Sequence, residues 1–159
     1  MIDINIGFDL DGCIADADFT LLRLIDLVNK PEDKLKLETE YYASRKLLLN
    51  PLDFLSDKDS FYIITARPDK FKEVTMKWLN KNNIKPKDVI FIGYNDRDKY
   101  VNPDPKDFKA ISCRIAKEKL DILKKLIIEI YFDDNFDAIV QFRELCKEIK
   151  FIQYGRRVY

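Results

Sequence analysis

The chain has 159 residues, 47% hydrophobic and 35% charged, a balance typical of one folded domain rather than a disordered segment. Lysine plus arginine and aspartate plus glutamate each number 28, so no chain-wide field attracts nucleic acid or anionic membrane. The absence of histidine excludes the commonest general base and the commonest transition-metal ligand. Any catalysis must therefore use carboxylates, hydroxyls, lysine or cysteine.

The cysteines and the apolar runs indicate the compartment. Cys13, Cys113 and Cys146 are far apart and form no C-x-x-C pair, which fits a reducing environment and argues against a zinc site. The first residues lack the basic start of a signal peptide, and no apolar run approaches the roughly 20 residues of a membrane helix. We predict a cytoplasmic protein with no membrane partner.

Apolar strands alternate with amphipathic stretches along the chain. Strands are predicted over residues 3–9, 61–64, 89–92, 127–132 and 148–152, and helices over residues 19–30, 32–50, 70–82, 111–125 and 136–147. This alternation predicts an α/β fold, a Rossmann-like parallel sheet flanked by helices. The helical residues 13–57 are interpreted as a small cap inserted after the first strand, with residues 1–12 and 58–159 as the core. Residues 94–109 are predicted to be a long loop.

The first predicted strand ends in two carboxylates, Asp9 and Asp11, followed by Gly12. A strand of period two places both side chains on one side of the backbone, and the glycine lets the chain turn away. Carboxylates held so close repel each other unless a hard cation such as Mg²⁺, a shared proton or a basic side chain lies nearby. A simple polar strand end is the alternative.

Polar residues also follow two further predicted strands: Thr65 and Arg67 in one case, Asp133 and Asp134 in the other. Because ligands of parallel sheets bind outside the carboxyl ends of the strands, these groups should share one site. The set suits phosphoryl transfer. Asp9 would attack phosphorus and Asp11 would exchange protons. The other groups would bind metal and phosphate oxygens, with a lysine from residues 114–119 offsetting charge.

Four segments together resemble the motifs of the haloacid dehalogenase (HAD) superfamily of phosphatases, in the order that the family has them. They are Asp9-Leu10-Asp11-Gly12, Ile63-Ile64-Thr65-Ala66-Arg67-Pro68, Lys119 and Tyr131-Phe132-Asp133-Asp134. The resemblance implies a Rossmann-like core, a Mg²⁺ cofactor and an aspartyl-phosphate intermediate.

Carried over by position, the resemblance makes Asp9 the nucleophile and a metal ligand. It makes Asp11 the acid and base, with a backbone carbonyl on the metal, and Asp133 the acidic metal ligand. It makes Thr65 the phosphate-binding hydroxyl. Two positions stay open: Lys119 or Lys117 as the motif lysine, and Asp134 or Asp137 as the supporting carboxylate. Cys13 stands where the family often has threonine.

The substrate is predicted from the segment Thr65-Ala66-Arg67-Pro68 and the helical insertion. Both resemble deoxyribonucleotidase-like members and the phosphatase domains of polynucleotide end-healing enzymes. We predict that Thr65, Ala66 and Arg67 bind substrate, with a nucleotide or another small phosphorylated metabolite favoured. Arg67 would bind a second phosphate or a carboxylate, or else form a salt bridge with Asp69 or with a residue of the cap. Tyr41 and Tyr42 would either stack on a base or fill the cap core.

Three alternatives compete with a metabolite phosphatase. A phosphatase acting on nucleic-acid ends is disfavoured by the zero net charge. Arg156 and Arg157 would contact phosphate or a partner, although a solvated tail is favoured for them. A phospho-accepting receiver domain has similar residues in a different order: an acidic pair, the acceptor aspartate, a threonine and last a lysine. In this chain Lys119 precedes the final acidic motif. A non-catalytic regulatory module would have little use for the crowded Asp9 and Asp11.

Overall fold

The computed structural model describes residues 3–92 and 105–155, with the backbone alone for residues 105–114. The described residues form a five-stranded parallel sheet flanked by five α-helices, which confirms the predicted fold class. The strands are β1 (Asn5–Phe8), β2 (Ser60–Thr65), β3 (Asp88–Phe91), β4 (Ile130–Asp133) and β5 (Lys150–Gln153). The helices are α1 (Phe19–Asp26), α2 (Pro31–Ala43), α3 (Lys72–Lys81), α4 (Pro105–Lys125) and α5 (Phe136–Leu145).

The strand order, β3-β2-β1-β4-β5, places the first strand at the centre of the sheet. The chain builds outward from β1 to β3 on one side and then returns to add β4 and β5 on the other. Phe8, the last residue of β1, pairs with Ile63 of β2 and with Phe132 of β4, so the carboxyl ends of these three strands lie within two residues of one another. Reversal of the strand order beside β1 creates the crevice at which ligands of open α/β sheets bind.

Alternating side chains of each strand enter two separate cores, one on each face of the sheet. One face joins Ile64 and Tyr131 to α4 and α5, with Leu120, Leu123 and Phe142 buried among them. The other face joins β1 and β2 to α3 and to the segment that follows β1; its buried members include Phe8, Ile63, Phe132, Trp78 and Ile14. This double burial explains why the strands are continuously apolar.

Residues 13–57, here called the insert, lie between β1 and β2 and contain α1 and α2. A third apolar cluster joins Leu22 and Ile25 of α1 to Tyr41 and Tyr42 of α2 and to Phe71, just before α3. The insert is therefore attached to the core through a shared apolar contact. Its division from the core as a separate cap remains a prediction.

Helix ends in the insert differ from the sequence prediction. Helix α1 ends at Asp26 rather than residue 30. Lys30 precedes Pro31 and is extended, the conformation that a following proline favours, so it cannot belong to the helix. Helix α2 ends at Ala43 rather than near residue 50. The backbone N–H groups of Leu48 and Leu49 donate to the carbonyl of Ile14, so residues 47–49 run against the loop after β1.

The predicted loop over residues 94–109 is wrong at its end, since α4 begins at Pro105. Proline is favoured in the first turn of a helix, where its missing N–H costs nothing, and this was the available sequence signal. The remainder of that prediction, residues 94–104, lies outside the described residues. Within the described chain no helix has the length and apolarity that a membrane crossing requires.

Candidate active site

Asp9 lies one residue beyond the end of β1, where its backbone N–H donates to the carbonyl of Phe132 at 2.8 Å. The chain then turns sharply at Gly12, whose φ of +84° is in the left-handed region that favours glycine. The N–H of Gly12 donates to the carbonyl of Ala15 and the N–H of Ala15 to that of Leu10, which closes the loop. Asp9 is thereby held in the interior, with 7% of its surface exposed.

Three carboxylates meet where β1 and β4 end. Asp9, Asp133 and Asp134 each offer an oxygen within 4.8 Å of the others, and all three are buried. Asp133 is held in place by the N–H of Asn135, which donates to its Oδ1 at 2.9 Å. Carboxylate oxygens are the hard donors that Mg²⁺ prefers, so the donor set fits the metal that the sequence predicts.

Lys119 of α4 reaches into this cluster. Its Nζ donates to Asp9 Oδ1 at 2.8 Å and to Asp133 Oδ2 at 3.0 Å. The position of the side chain favours Lys119 over the exposed Lys117 as the motif lysine. One ammonium group therefore offsets part of the charge of three carboxylates.

Burial and mutual repulsion shift the ionisation of these groups. Burial raises the pKa of Asp9 well above its ordinary value; Lys119 opposes this effect, and the charges of Asp133 and Asp134 add to it. Burial alone would lower the pKa of Lys119, but the carboxylates of Asp133 and Asp9 raise it well above its usual range. The lysine thus stays charged. A further cation would reduce the repulsion that remains among the three carboxylates.

Asp11 has a different partner from Asp9, because β1 ends at Phe8 and the period of a strand does not extend to residue 11. Its two carboxylate oxygens accept from Arg67 Nε at 2.9 Å and Arg67 Nη2 at 2.6 Å. The carboxylate of Asp11 is not one of the three in the acidic cluster. Ligation of a metal by its backbone carbonyl stays a prediction.

Thr65, the last residue of β2, is buried beside this pair. Its hydroxyl oxygen accepts from the backbone N–H of Arg67 at 3.2 Å. Ala66 between them is half-buried. Both residues thus lie at the carboxyl edge of the sheet, next to β1, and their binding of substrate stays a prediction.

The guanidinium of Arg67 is fully buried, and its ion pair is with Asp11 rather than with Asp69. Arg67 Nη1 donates to Thr75 Oγ1 at 3.0 Å, and its Cζ lies 4.2 Å from the centre of the Tyr42 ring. Tyr41 and Tyr42 were expected either to stack on a base or to fill the core of the cap. Both are buried in the apolar cluster of the insert, which favours the second hypothesis.

Sequence reasoning named Tyr42 and Tyr131 but did not predict the contacts by which these two side chains and Thr75 support the site. The Tyr131 hydroxyl donates to Asp133 Oδ2 at 3.0 Å. Burial raises the pKa of Tyr131 well above its usual value, so the hydroxyl keeps its proton. Tyr131 is the first residue of the predicted motif Tyr131-Phe132-Asp133-Asp134 and was visible in the sequence, whereas the contacts of Tyr42 and Thr75 depend on the fold.

Glycines permit close packing around Asp134. A Cβ at Gly12 would overlap the Asp134 carboxylate, and a Cβ at Gly155, after β5, would overlap the carbonyl of Gly12. Burial also raises the pKa of the neighbouring Cys13 thiol well above its usual value.

Asp137, the alternative to Asp134, is exposed in the first turn of α5 and lies outside the acidic cluster. This position favours Asp134 as the supporting carboxylate. Arg156 and Arg157 lie outside the described residues.

Comparison with known proteins identifies the fold. No protein-family model matches the sequence, and no curated protein matches it. Among solved structures, a chain of the Pnkp1/Rnl/Hen1 complex matches with a TM-score of 0.59 and 15% identity over 98% of this chain. A wild-type HAD family enzyme from Bacteroides thetaiotaomicron, in complex with magnesium and inorganic phosphate, matches with a TM-score of 0.53 and 13% identity, over 99% of this chain and 97% of that one.

The chain has the HAD fold. A third match, a HAD-superfamily hydrolase of subfamily IA from Geobacter sulfurreducens, has a TM-score of 0.52 and 13% identity over 96% of this chain and 87% of that one. The present chain spans only 48% of the matching chain of the Pnkp1/Rnl/Hen1 complex. Within the HAD fold of this chain, the acidic cluster occupies the crevice between β1 and β4.

Proposed function

We propose that the protein is a Mg²⁺-dependent phosphomonoesterase that forms an aspartyl-phosphate on Asp9. The observation that carries this proposal is the acidic cluster of Asp9, Asp133 and Asp134, with Lys119 contacting two of its members. Burial of three mutually repelling carboxylates destabilises the folded protein, and ionisable groups in such an arrangement are typical of functional sites. It lies at the edge of the sheet where α/β enzymes bind their ligands.

Each residue has a separate task in this mechanism. Asp9 supplies the attacking oxygen, and Asp133 and Asp134 would hold the metal together with it. Bound Mg²⁺ would supply positive charge that relieves repulsion between a phosphate dianion and the carboxylate nucleophile. Lys119 neutralises charge on Asp9 and on the transferring phosphoryl group. Thr65 and the backbone of Ala66 bind phosphate oxygens, and Asp11 carries protons to and from oxygen.

A small phosphorylated metabolite, with a nucleotide first among the candidates, is the substrate class that we propose. The balanced charge of the chain supplies little of the salt-dependent attraction on which binding of nucleic acid relies. The insert is proposed to cover the site as a cap, since α2 reaches the Arg67 side chain at the edge of the sheet. We propose a cytoplasmic location on the grounds of cysteine usage.

The first test is phosphate release from p-nitrophenyl phosphate and a panel of phosphorylated metabolites with Mg²⁺. Asp9→Asn should abolish turnover, because an amide is a poor nucleophile, while circular dichroism and the thermal midpoint show a folded protein. Asp88→Asn, at an exposed position at the start of β3, is the matched control and should retain activity. Full activity of Asp9→Asn would refute the mechanism.

A second candidate is removal of phosphate from nucleic-acid ends. It is favoured by the likeness of the fold to a chain of an RNA repair complex that contains Pnkp1, Rnl and Hen1. Phosphate release should then be faster from a phosphorylated oligonucleotide than from the corresponding mononucleotide, and should fall steeply with salt. Equal or faster release from the mononucleotide supports the metabolite phosphatase.

A receiver domain is disfavoured by topology as well as by motif order. Receiver domains have the strand order 2-1-3-4-5, whereas this sheet has the order β3-β2-β1-β4-β5. A purely regulatory module is disfavoured by the buried acidic cluster. A phosphoprotein that persists for minutes after treatment with acetyl phosphate would support the receiver.

A further inference from the structure

Arg67 makes a planar, two-point contact with Asp11. Its Nε and Nη2 donate to the two carboxylate oxygens at 2.9 and 2.6 Å. A bidentate pair of this kind fixes the plane of the carboxylate as well as its position. The Asp11 side chain is still 23% exposed, whereas that of Arg67 is 1% exposed. The Asp11 carboxylate is thus fixed by the buried guanidinium and still partly exposed to solvent.

Two other elements hold the guanidinium in turn. Thr75, on α3, accepts from Arg67 Nη1 at 3.0 Å and is itself buried. The ring of Tyr42, on α2 of the insert, lies against the guanidinium, with 4.2 Å between Arg67 Cζ and the ring centre. Tyr42 packs against Phe71 with ring centres 4.8 Å apart, so its ring is fixed as well. With contacts to Asp11, Thr75 and Tyr42, the Arg67 guanidinium is not free to reorient toward a bound ligand.

We propose that Arg67 is a positioning residue that orients Asp11 for proton transfer, and that Tyr42 and Thr75 hold Arg67 in place. This inference rests on the proposed phosphatase function. It differs from the sequence prediction, in which Arg67 binds the substrate. It also gives the insert a part in the chemistry, since α2 contributes the ring that supports the arginine.

The reaction uses the orientation of Asp11 twice. In the first step, an Asp9 oxygen bonds to phosphorus and the bond from phosphorus to the leaving oxygen breaks, while Asp11 gives its proton to that oxygen. In the second step, water bonds to phosphorus and gives a proton to Asp11. The bond from Asp9 to phosphorus then breaks and inorganic phosphate leaves. A basic leaving oxygen needs the proton most, so misorientation of Asp11 should slow alkyl esters more than activated aryl esters.

The test compares leaving groups in the full chain with Mg²⁺. Arg67→Met should lower kcat on the order of 10²-fold for an alkyl phosphate and about 10-fold for p-nitrophenyl phosphate, with KM changed by less than about 3-fold. Tyr42→Leu and Thr75→Val should each lower kcat by about 5-fold with the same dependence on the leaving group. Tyr42→Phe keeps the ring that packs on the guanidinium, so it should lose less activity than Tyr42→Leu.

Arg45→Met is the matched control. Arg45 also stacks on a tyrosine of α2, with its Cζ 3.8 Å from the centre of the Tyr41 ring, but it makes no contact with Asp11. This variant should keep the kcat of the wild type for every ester. Circular dichroism and thermal midpoints establish that each variant is folded. If Arg67→Met does not fold, Tyr42→Leu and Thr75→Val decide the inference, because both keep the Arg67 and Asp11 side chains and remove only a support of the guanidinium.

A double-mutant cycle separates positioning from direct binding. In an Asp11→Asn background, Arg67→Met should add no more than about a 2-fold loss for p-nitrophenyl phosphate, since the group that Arg67 orients is gone. A large rise in KM with equal loss for all leaving groups, or a full additional loss in the Asp11→Asn background, would overturn the inference and place Arg67 on the substrate. Wild-type protein that releases phosphate from none of the esters would refute the proposed function itself, and the inference with it.

Discussion

Lys119 is the residue on which the charge balance of the acidic cluster depends. Its ammonium group contacts Asp9 and Asp133, both buried. Lys119→Met is expected to lower kcat by on the order of 10²-fold or more and to lower the free energy of unfolding by about 3–5 kcal/mol at pH 8. The reason is that removal of one partner leaves buried charge without compensation. Urea unfolding without added metal measures the loss.

The loss of stability in Lys119→Met should be smaller at pH 5 than at pH 8. Burial raises the pKa of Asp9 above the ordinary 3.8, and loss of the lysine raises it further. The folded variant then retains protons that the unfolded chain releases, so its stability falls as the pH rises above that ordinary value. The exposed Lys117→Met is the matched control and should change neither activity nor stability. A similar effect at both lysines would contradict this assignment.

Asp134 and Asp137 offer a second matched pair. Asp134→Asn should raise the Mg²⁺ concentration needed for half-maximal activity by about 10-fold or more, because the side chain belongs to the buried cluster. Asp137→Asn should leave that concentration unchanged, since the side chain is exposed on α5. A Mg²⁺ titration of phosphate release by each variant makes the comparison. The reverse result would make Asp137 the supporting residue.

At the scale of elements, β1 depends on Gly7, which lies in the middle of a buried strand. A Cβ there would lie 2.9 Å from Tyr131 Cδ2 and 3.2 Å from Ile64 Cδ1. Gly7→Ala should therefore lower the free energy of unfolding by about 1–3 kcal/mol through overpacking. It should also lower activity, because displacement of Tyr131 removes a donor from Asp133. Urea unfolding tests the first effect, and an unchanged midpoint would contradict it.

The sequence was sufficient for the elements whose pattern is local. Apolar runs ending in Asp9, Thr65 and Asp133 predicted three strands, and the three paired strands end within two residues of one another. The alternation of strands with helices predicted a parallel sheet covered on both faces. The sequence was insufficient where pairing is non-local. The backbone N–H groups of Leu48 and Leu49 donate to the carbonyl of Ile14, and Leu47 pairs with Ala15. These partners are more than 30 positions away in the sequence, and no helical or strand period of residues 47–49 indicates the pairing.

In the candidate site, too, residues in local sequence patterns were predicted and contacts between distant parts of the chain were not. Carboxylates, threonine and lysine were found because each chemistry-bearing side chain follows a strand or lies in a recognisable motif. The partner of Arg67 was not found, because Asp11, Thr75 and Tyr42 come from three separate parts of the chain. Exposure, which distinguishes Lys119 from Lys117, likewise depends on how α4 packs against the sheet.

At the scale of the whole molecule, the fold should persist without metal. Apolar cores cover both faces of the sheet, and Lys119 already offsets part of the charge of the cluster. Chelation with EDTA should abolish phosphate release. It should lower the thermal midpoint by only about 3–6 °C relative to Mg²⁺ at ten times its dissociation constant. Scanning calorimetry measures the shift.

In Asp9→Asn, which removes one ligand charge from the cluster, the midpoint should respond less to Mg²⁺ than in the wild type. Readdition of Mg²⁺ to the chelated wild type should restore activity without refolding. Unfolding of the wild type on chelation would contradict this expectation and make the metal a structural requirement.

The contact between Tyr42 and Arg67 bears on how such a molecule changes during evolution. An insert that met the core only through apolar surface would be a free module, exchangeable between relatives as long as the surface matched. Here the ring of α2 supports the arginine that grips Asp11. A chimaera that receives another α2 must also receive a planar side chain at position 42, or recruit a new support for residue 67. Substitutions in α2 would therefore have to keep an aromatic side chain against Arg67.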